Sequence, residues 1–110
     1  MEKASKLSTF IFFLIFIISA SSVFADEAKM KLGKGIFNGK GMCAGCHVLK
    51  DAGAVGQIGP SLDGLKPTYD QVADVVTGGL GVMPAFGEDG ILTKVEIDGV
   101  AFYVAKSAGK

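Results

Sequence analysis

The residues with the most chemical capacity are Cys43, Cys46 and His47, in the tract Cys43-Ala44-Gly45-Cys46-His47. They are the only two cysteines and the only histidine of the 110-residue chain. Two thiols three positions apart share one turn of backbone, so each can add to one vinyl group of the same porphyrin. The next residue is then held under the iron and offers its imidazole as a ligand, the C-x-x-C-H pattern of covalent haem attachment. Three other readings compete. A thioredoxin-like redox pair would follow a strand in a βαβ unit, and Leu32-Gly33-Lys34-Gly35-Ile36-Phe37 is not a β-branched strand run. A tetrahedral zinc site needs further ligands, and the chain has no third Cys and no second His. A disulfide between Cys43 and Cys46 would close a very short loop and stabilise little. One haem c attached through Cys43 and Cys46 is the expectation, with thiol–disulfide chemistry or a structural role for the pair as the alternatives.

The chain that positions this motif divides unevenly. Lys3 and Lys6 precede an apolar stretch from Leu7 to Ile18, and Val23-Phe24-Ala25 forms a small-residue cleavage site before Asp26. That layout predicts a secretory signal peptide over residues 1–25, an uncleaved N-terminal anchor being the alternative. A membrane span needs about 20 apolar residues, and this stretch breaks sooner into Ser19-Ala20-Ser21-Ser22. The expected mature domain is residues 26–110, in the periplasm, with a membrane association only if the leader stays. Eleven Lys balance eleven acidic residues and Arg is absent. A nucleic-acid binder, which needs a basic face for phosphates, is excluded. With 49% hydrophobic residues, so is a disordered chain. The expected mature part holds three Phe (Phe37, Phe86, Phe102), two Tyr and no Trp. A core that small calls for a staple, and a bound cofactor would be one.

The expected elements are mostly helical. A first helix should run from Ala28 to Asn38, and a short helical turn should hold the Cys motif. Thr68 to Thr77 carries Val72, Val75 and Val76 at helical spacing before Gly78-Gly79 stops it. A last helix should start at Thr93, whose hydroxyl and Glu96 make a capping-box pattern. Val95, Val100, Tyr103 and Val104 then fall near one stripe. The glycine-rich stretch from Lys50 to Leu65 is expected to be an Ω-like loop. The residues from Lys29 to Lys66 carry six Lys and two acids, and those from Pro67 onward three Lys and six acids. This split is either a set of solvated faces or a Lys ring that would steer an acidic partner.

On these residues the chain resembles the class I cytochromes c, small mono-haem electron carriers. Gly33 to Phe37 matches the family's Gly-x-x-x-aromatic ahead of C-x-x-C-H. Ile58-Gly59-Pro60-Ser61-Leu62 matches its Gly-Pro segment, Met83-Pro84 its methionine loop, and Ala101-Phe102-Tyr103-Val104 its last-helix aromatic. Gly78 to Phe86 is similar to short bacterial members, including the cytochrome subunits of sulfite dehydrogenases. The resemblance implies an all-α cytochrome c fold, three to four helices wrapped around one covalently bound haem with long Gly-rich loops. It implies His47 and Met83 as the metal ligands. Met42 is tied to the porphyrin edge by Cys43 and Met30 lies in the first helix, where a packing role suits it. Gly78, Gly79 and Gly81 would let the backbone approach the ring, and Pro84 would brace the exit. From spacing alone Gly59-Pro60 is equally an ordinary turn or a carbonyl acceptor for the second nitrogen of His47. The resemblance favours the acceptor. A missing side chain at Gly33 would admit Tyr103 from the last helix. No catalytic residue is expected. The expected function is single-electron transfer between periplasmic redox partners, a dehydrogenase as donor and an oxidase or other cytochrome as acceptor, by a monomer or weak complex. The alternatives are a dedicated cytochrome subunit of a periplasmic dehydrogenase and a ligand-binding haem sensor.

Overall fold

The structure, a computed structural model, describes residues 21–110. The positively charged and apolar stretches of the expected leader, from Lys3 to Ile18, lie outside the described residues. Helix α1 covers residues 21–38 among those described. It therefore reaches at least seven positions ahead of the expected start at Ala28 and runs across the expected cleavage point after Ala25. Its residues 21–28 are exposed. Burial begins at Gly33, Ile36 and Phe37.

A short antiparallel pair follows, β1 (Val48–Leu49) with β2 (Ala54–Val55), in register Val48 with Val55 and Leu49 with Ala54. A 3-10 turn, Lys50–Ala52, joins the strands, and Gly53 closes it at φ 66°, left-handed backbone that glycine adopts at no steric cost. Helix α2 (Leu62–Leu65) comes next, its Ser61 hydroxyl accepting from the Gly64 N–H. The expected Ω-like loop is therefore a hairpin plus a single helical turn. Leu49 and Ala54 decide this, because both are buried side by side. Two alternating residues per strand are too few to register as a strand pattern.

Helix α3 (Tyr69–Gly78) and helix α4 (Lys94–Ser107) both start with a complete capping box. Thr93 and Glu96 supply the one on α4, as their spacing predicts. Thr68 and Gln71 supply the one on α3. Val72 and Val76 of α3 pack with Ile97, Val100, Ala101 and Val104 of α4, with Leu92 from the loop between. Val95 is a correction to the expected stripe: it is exposed, and Ile97 takes the inward position. Val95 and Val100 lie five residues apart, about 140° around the helix axis.

Helix α4 crosses α1 where both have glycine. A Cβ on Gly33 would overlap the Gly99 carbonyl oxygen and the Tyr103 Cβ, and would stand 2.8 Å from the Gly99 carbonyl carbon. The room thus made admits Tyr103, whose ring meets Phe37 edge-on at 6.0 Å between centroids. The Tyr103 hydroxyl continues outward and donates to Asp51 Oδ2 at 2.6 Å. Burial and this bond to a carboxylate both hold the phenol above its ordinary range. Asp63 closes the other side, accepting from Lys50 N–H and from Gly109 N–H, each at 2.8 Å.

Two outcomes follow from this packing. Gly33→Ala should separate α1 from α4 and cost about 2–3 kcal/mol, as overpacking a tight contact does, read as a lower urea midpoint. The second concerns acid. Backbone donors from Gly109 and Lys50 hold Asp63 below its ordinary 3.8, and the Thr93 N–H and then Lys40 hold Glu96 below 4.5. The Tyr69 hydroxyl and Lys29 likewise lower Asp98. The unfolded chain therefore takes up protons first as the pH falls. The stabilisation is complete above about pH 4.5 and is lost as the pH drops through the lowered folded values. Asp63→Asn should flatten part of that acid limb in a series of urea midpoints against pH; an unchanged limb would remove Asp63 from it.

Candidate haem-binding site

The C-terminal end of α1 delivers the motif. Its Ile36 carbonyl accepts from Gly39 N–H and, at 2.9 Å, from Gly41 N–H. A Cβ on Gly41 would stand 2.9 Å from that carbonyl and 3.1 Å from Cys43 Sγ. Met42 takes left-handed backbone at φ 52°, an uncommon place for a non-glycine residue, and turns the chain into a 3-10 turn over Cys43–Gly45. Cys43 O accepts from both Cys46 N–H and His47 N–H, so one turn carries both thiols and the imidazole. Cys43, Cys46 and His47 are all half-buried.

Burial pushes the Cys43 thiol up to about 11, its own backbone hydrogen bond opposing this and the Cys46 thiol adding to it. A thiol–disulfide catalyst requires the opposite shift, toward thiolate at neutral pH. The apolar cluster against which Cys43 packs suits attachment of an apolar group.

Residues 56–60 run back across this turn. Gly59 N–H donates to Cys46 O at 2.8 Å, and His47 Nδ1–H donates to the Pro60 carbonyl at 2.7 Å. A Cβ on Gly59 would lie 2.5 Å from His47 Cε1 and 2.9 Å from Nδ1. One on Gly56 would lie 2.6–2.7 Å from the Cys46–His47 backbone. These two glycines let the segment lie flat against the imidazole. The sequence carries no signal for Gly56, and Gly59 stands out only through its proline.

Met83 sits on a separate loop. Leu80 and Met83 exchange N–H to carbonyl bonds of 3.2 and 3.0 Å around a turn that needs Gly81 at φ 58°. Gly79, at φ 74°, packs so closely under Met83-Pro84-Ala85 that a Cβ would meet their backbone at 2.8–3.1 Å. Gly79 thus makes a close approach to the loop's own backbone, while a Cβ on Gly78 would meet only Glu88 Oε1, at 3.7 Å. Glu88 N–H then donates to Thr77 O at 3.0 Å, pinning the loop to α3. Met83 and Cys43 both flank the same buried apolar cluster, as does Met30. Met42 is exposed.

The residues fit a haem. Cys43 and Cys46 could hold its vinyl carbons, and His47 has one nitrogen fixed by a carbonyl and the other free. Residues 28–104 match the protein family described as cytochrome C oxidase, cbb3-type, subunit III. The chain belongs to this cytochrome c family. No curated protein sequence matches it. Among solved structures it is similar to the c-type cytochrome SorU from Sinorhizobium meliloti, with 50% sequence identity and a TM-score of 0.71. The likeness covers 76% of this chain and 95% of that one. This cytochrome thus has the helical fold of a small class I c-type cytochrome. It carries one covalently bound haem c and transfers electrons with redox partners. Among the described residues no helix is long and apolar enough to cross a membrane.

Proposed function

We propose that this cytochrome is an exported, diffusible electron carrier in which His47 and Met83 are the axial ligands. The observation that carries the reading is the 2.7 Å hydrogen bond between His47 and the Pro60 carbonyl. A carbonyl only accepts, so the proton sits on Nδ1 and the Nε2 lone pair is left for a metal. Haem c, when bound, supplies a one-electron couple between ferrous and ferric iron. Cys43 and Cys46 hold it by two thioether bonds. His47 is oriented from behind by Pro60 and kept against Gly59. Met83 offers a thioether, which donates less than a second imidazole would and so favours the reduced state. With His47 and Met83 both holding the metal, no position on it would be left for a substrate, as suits a carrier rather than an enzyme.

The periplasm is the proposed location, with residues 1–25 removed as a signal peptide. Packing of α1 supports this. Its residues 21–28 are exposed, and it meets the core from Met30 onward, beyond Ala25. A dehydrogenase as donor and an oxidase or another cytochrome as acceptor complete the reading, the carrier itself being a monomer.

Visible spectra of the purified holoprotein, ferric and ferrous, with and without carbon monoxide, test the reading. Sharp bands on reduction, indifference to carbon monoxide, and loss of the ferric sulfur–iron band in Met83→Ala are expected. A ready shift of the wild type with carbon monoxide would mean an open sixth position and would bring the sensor reading forward. The intact mass of the same preparation should start at Asp26, and a mass that includes Met1 would replace the leader with an anchor.

A further inference from the structure

The β1–β2 hairpin occupies the whole of the chain between His47 and Gly56. β1 starts on the residue after His47, and β2 ends on the residue before Gly56, whose backbone lies against that of Cys46 and His47. Pro60, on the same returning segment, accepts the Nδ1 proton of His47 at 2.7 Å. The imidazole is therefore held at both ends of one hairpin, by the backbone from which β1 leaves and by the acceptor to which β2 leads. A hairpin that moves relative to the Cys43–Gly45 turn carries the Pro60 carbonyl around the ring.

Two register pairs cannot hold such a hairpin still, since a short two-stranded hairpin is marginal by itself in water. Leu49 and Ala54 fix its apolar side in the core cluster. Its tip is fixed by hydrogen bonds to carboxylates. Asp51 Oδ2 accepts from the Tyr103 hydroxyl at 2.6 Å and stands 3.6 Å from Lys34 Nζ, so one oxygen ties the tip to α4 and to α1. The adjacent Lys50 N–H donates to Asp63 Oδ2 at 2.8 Å. The Tyr103 ring is buried edge-on against Phe37, a contact that a phenylalanine would make as well. What tyrosine adds is a hydroxyl carried through the core to Asp51, where a charged acceptor offsets the cost of burying it.

We infer that Tyr103 and Asp51 are positioning residues for His47: their hydrogen bond fixes the hairpin tip on α4 and, through the hairpin and Pro60, sets the orientation of the imidazole. The inference rests on the proposed ligation by His47. A metal-binding imidazole keeps one orientation only when the groups behind it are themselves locked, and here the lock is a bond between residues 52 positions apart.

Proton NMR of the ferric holoprotein tests this, because the haem-methyl shifts follow the orientation of the axial ligands about the iron. Tyr103→Phe removes one oxygen and keeps the ring. It should alter the methyl pattern and speed exchange of the His47 Nδ1 proton about tenfold. Asp51→Ala should do the same from the other side of the bond. Asp51→Asn, whose amide oxygen still accepts from the phenol, should keep the wild-type pattern. Tyr69→Phe is the matched control. The Tyr69 hydroxyl donates to Asp98 Oδ1, also at 2.6 Å, and joins α3 to α4 without touching the hairpin. Its loss should leave the methyl pattern unchanged and Nδ1 exchange within about twofold of wild type. A Tyr103→Phe protein with a lower urea midpoint but the wild-type methyl pattern would make the bond merely structural and overturn the inference. So would a Tyr69→Phe protein altered in the same way as Tyr103→Phe. An Asp51→Asn protein as altered as Asp51→Ala would make the charge responsible rather than the bond, and would overturn it too. Tyr103→Phe decides even where Asp51→Ala fails to fold. Failure of the ligation reading looks different: His47→Ala would then keep the wild-type methyl pattern.

Discussion

At Gly33 the helices α1 and α4 come so close that a methyl group there would run into the Gly99 backbone, and the placement of the site follows from that contact. Leu32 closes over Gly99, where a Cβ would stand 3.0 Å from its Cδ2, so the crossing is filled from both sides. One turn further along α1, Phe37 is fully buried against Tyr103. The same helix end passes through Gly41 into Cys43. On the α4 side, Tyr103 reaches past the core to Asp51 in the hairpin, and the hairpin leads to the segment that lies on His47. A shift of the helices by the width of one methyl group would therefore move the thiols relative to the carbonyl that orients the imidazole. Fold and site share one geometric constraint.

The core that results is small. Its buried apolar members include only two aromatic rings, those of Phe37 and Tyr103, and many of the rest are Val or Ala. Along its edge lie half-buried Met30, Cys43, Ala44, Leu62, Met83 and Phe86. Two of the proposed haem-binding residues, Cys43 and Met83, belong to that edge. The surface that packs against the cofactor is thus continuous with the surface that packs against the core. A chain of this size ordinarily needs such a staple, and here it doubles as the functional group.

How much of this the sequence discloses depends on how local the cause is. The capping boxes at Thr93 and the cluster of Cys43, Cys46 and His47 are fixed by neighbours three or four positions apart, so they can be read directly. The pairing of Gly33 with Tyr103 was legible only through resemblance, and Gly99, which completes the crossing, was not legible at all. A glycine inside a helix signals a close approach but not its partner. The Lys50–Leu65 stretch was misjudged for a similar reason. Its strands are two residues long, and what defines them is the joint burial of Leu49 and Ala54 in the apolar cluster, a tertiary fact. Val95 failed differently, through a stripe drawn five residues wide where the helix period admits three or four.

The division of charge along the chain has the same character. Read as a sequence, a basic first half and an acidic second half suggest a dipolar surface. In the fold they are partners. Lys29 and Lys40 of the first half meet Asp98 and Glu96 of α4, and Glu96 also closes its helix cap. Asp63 holds the backbone N–H groups of Lys50 and Gly109, far apart in sequence. These carboxylates act as clasps, which accounts for their lowered proton affinities. A site without formal charges on its own segments leaves the balance between oxidation states to the axial donors and to burial. As the proposed second ligand, the thioether of Met83 would donate less than another imidazole and so favour the reduced state.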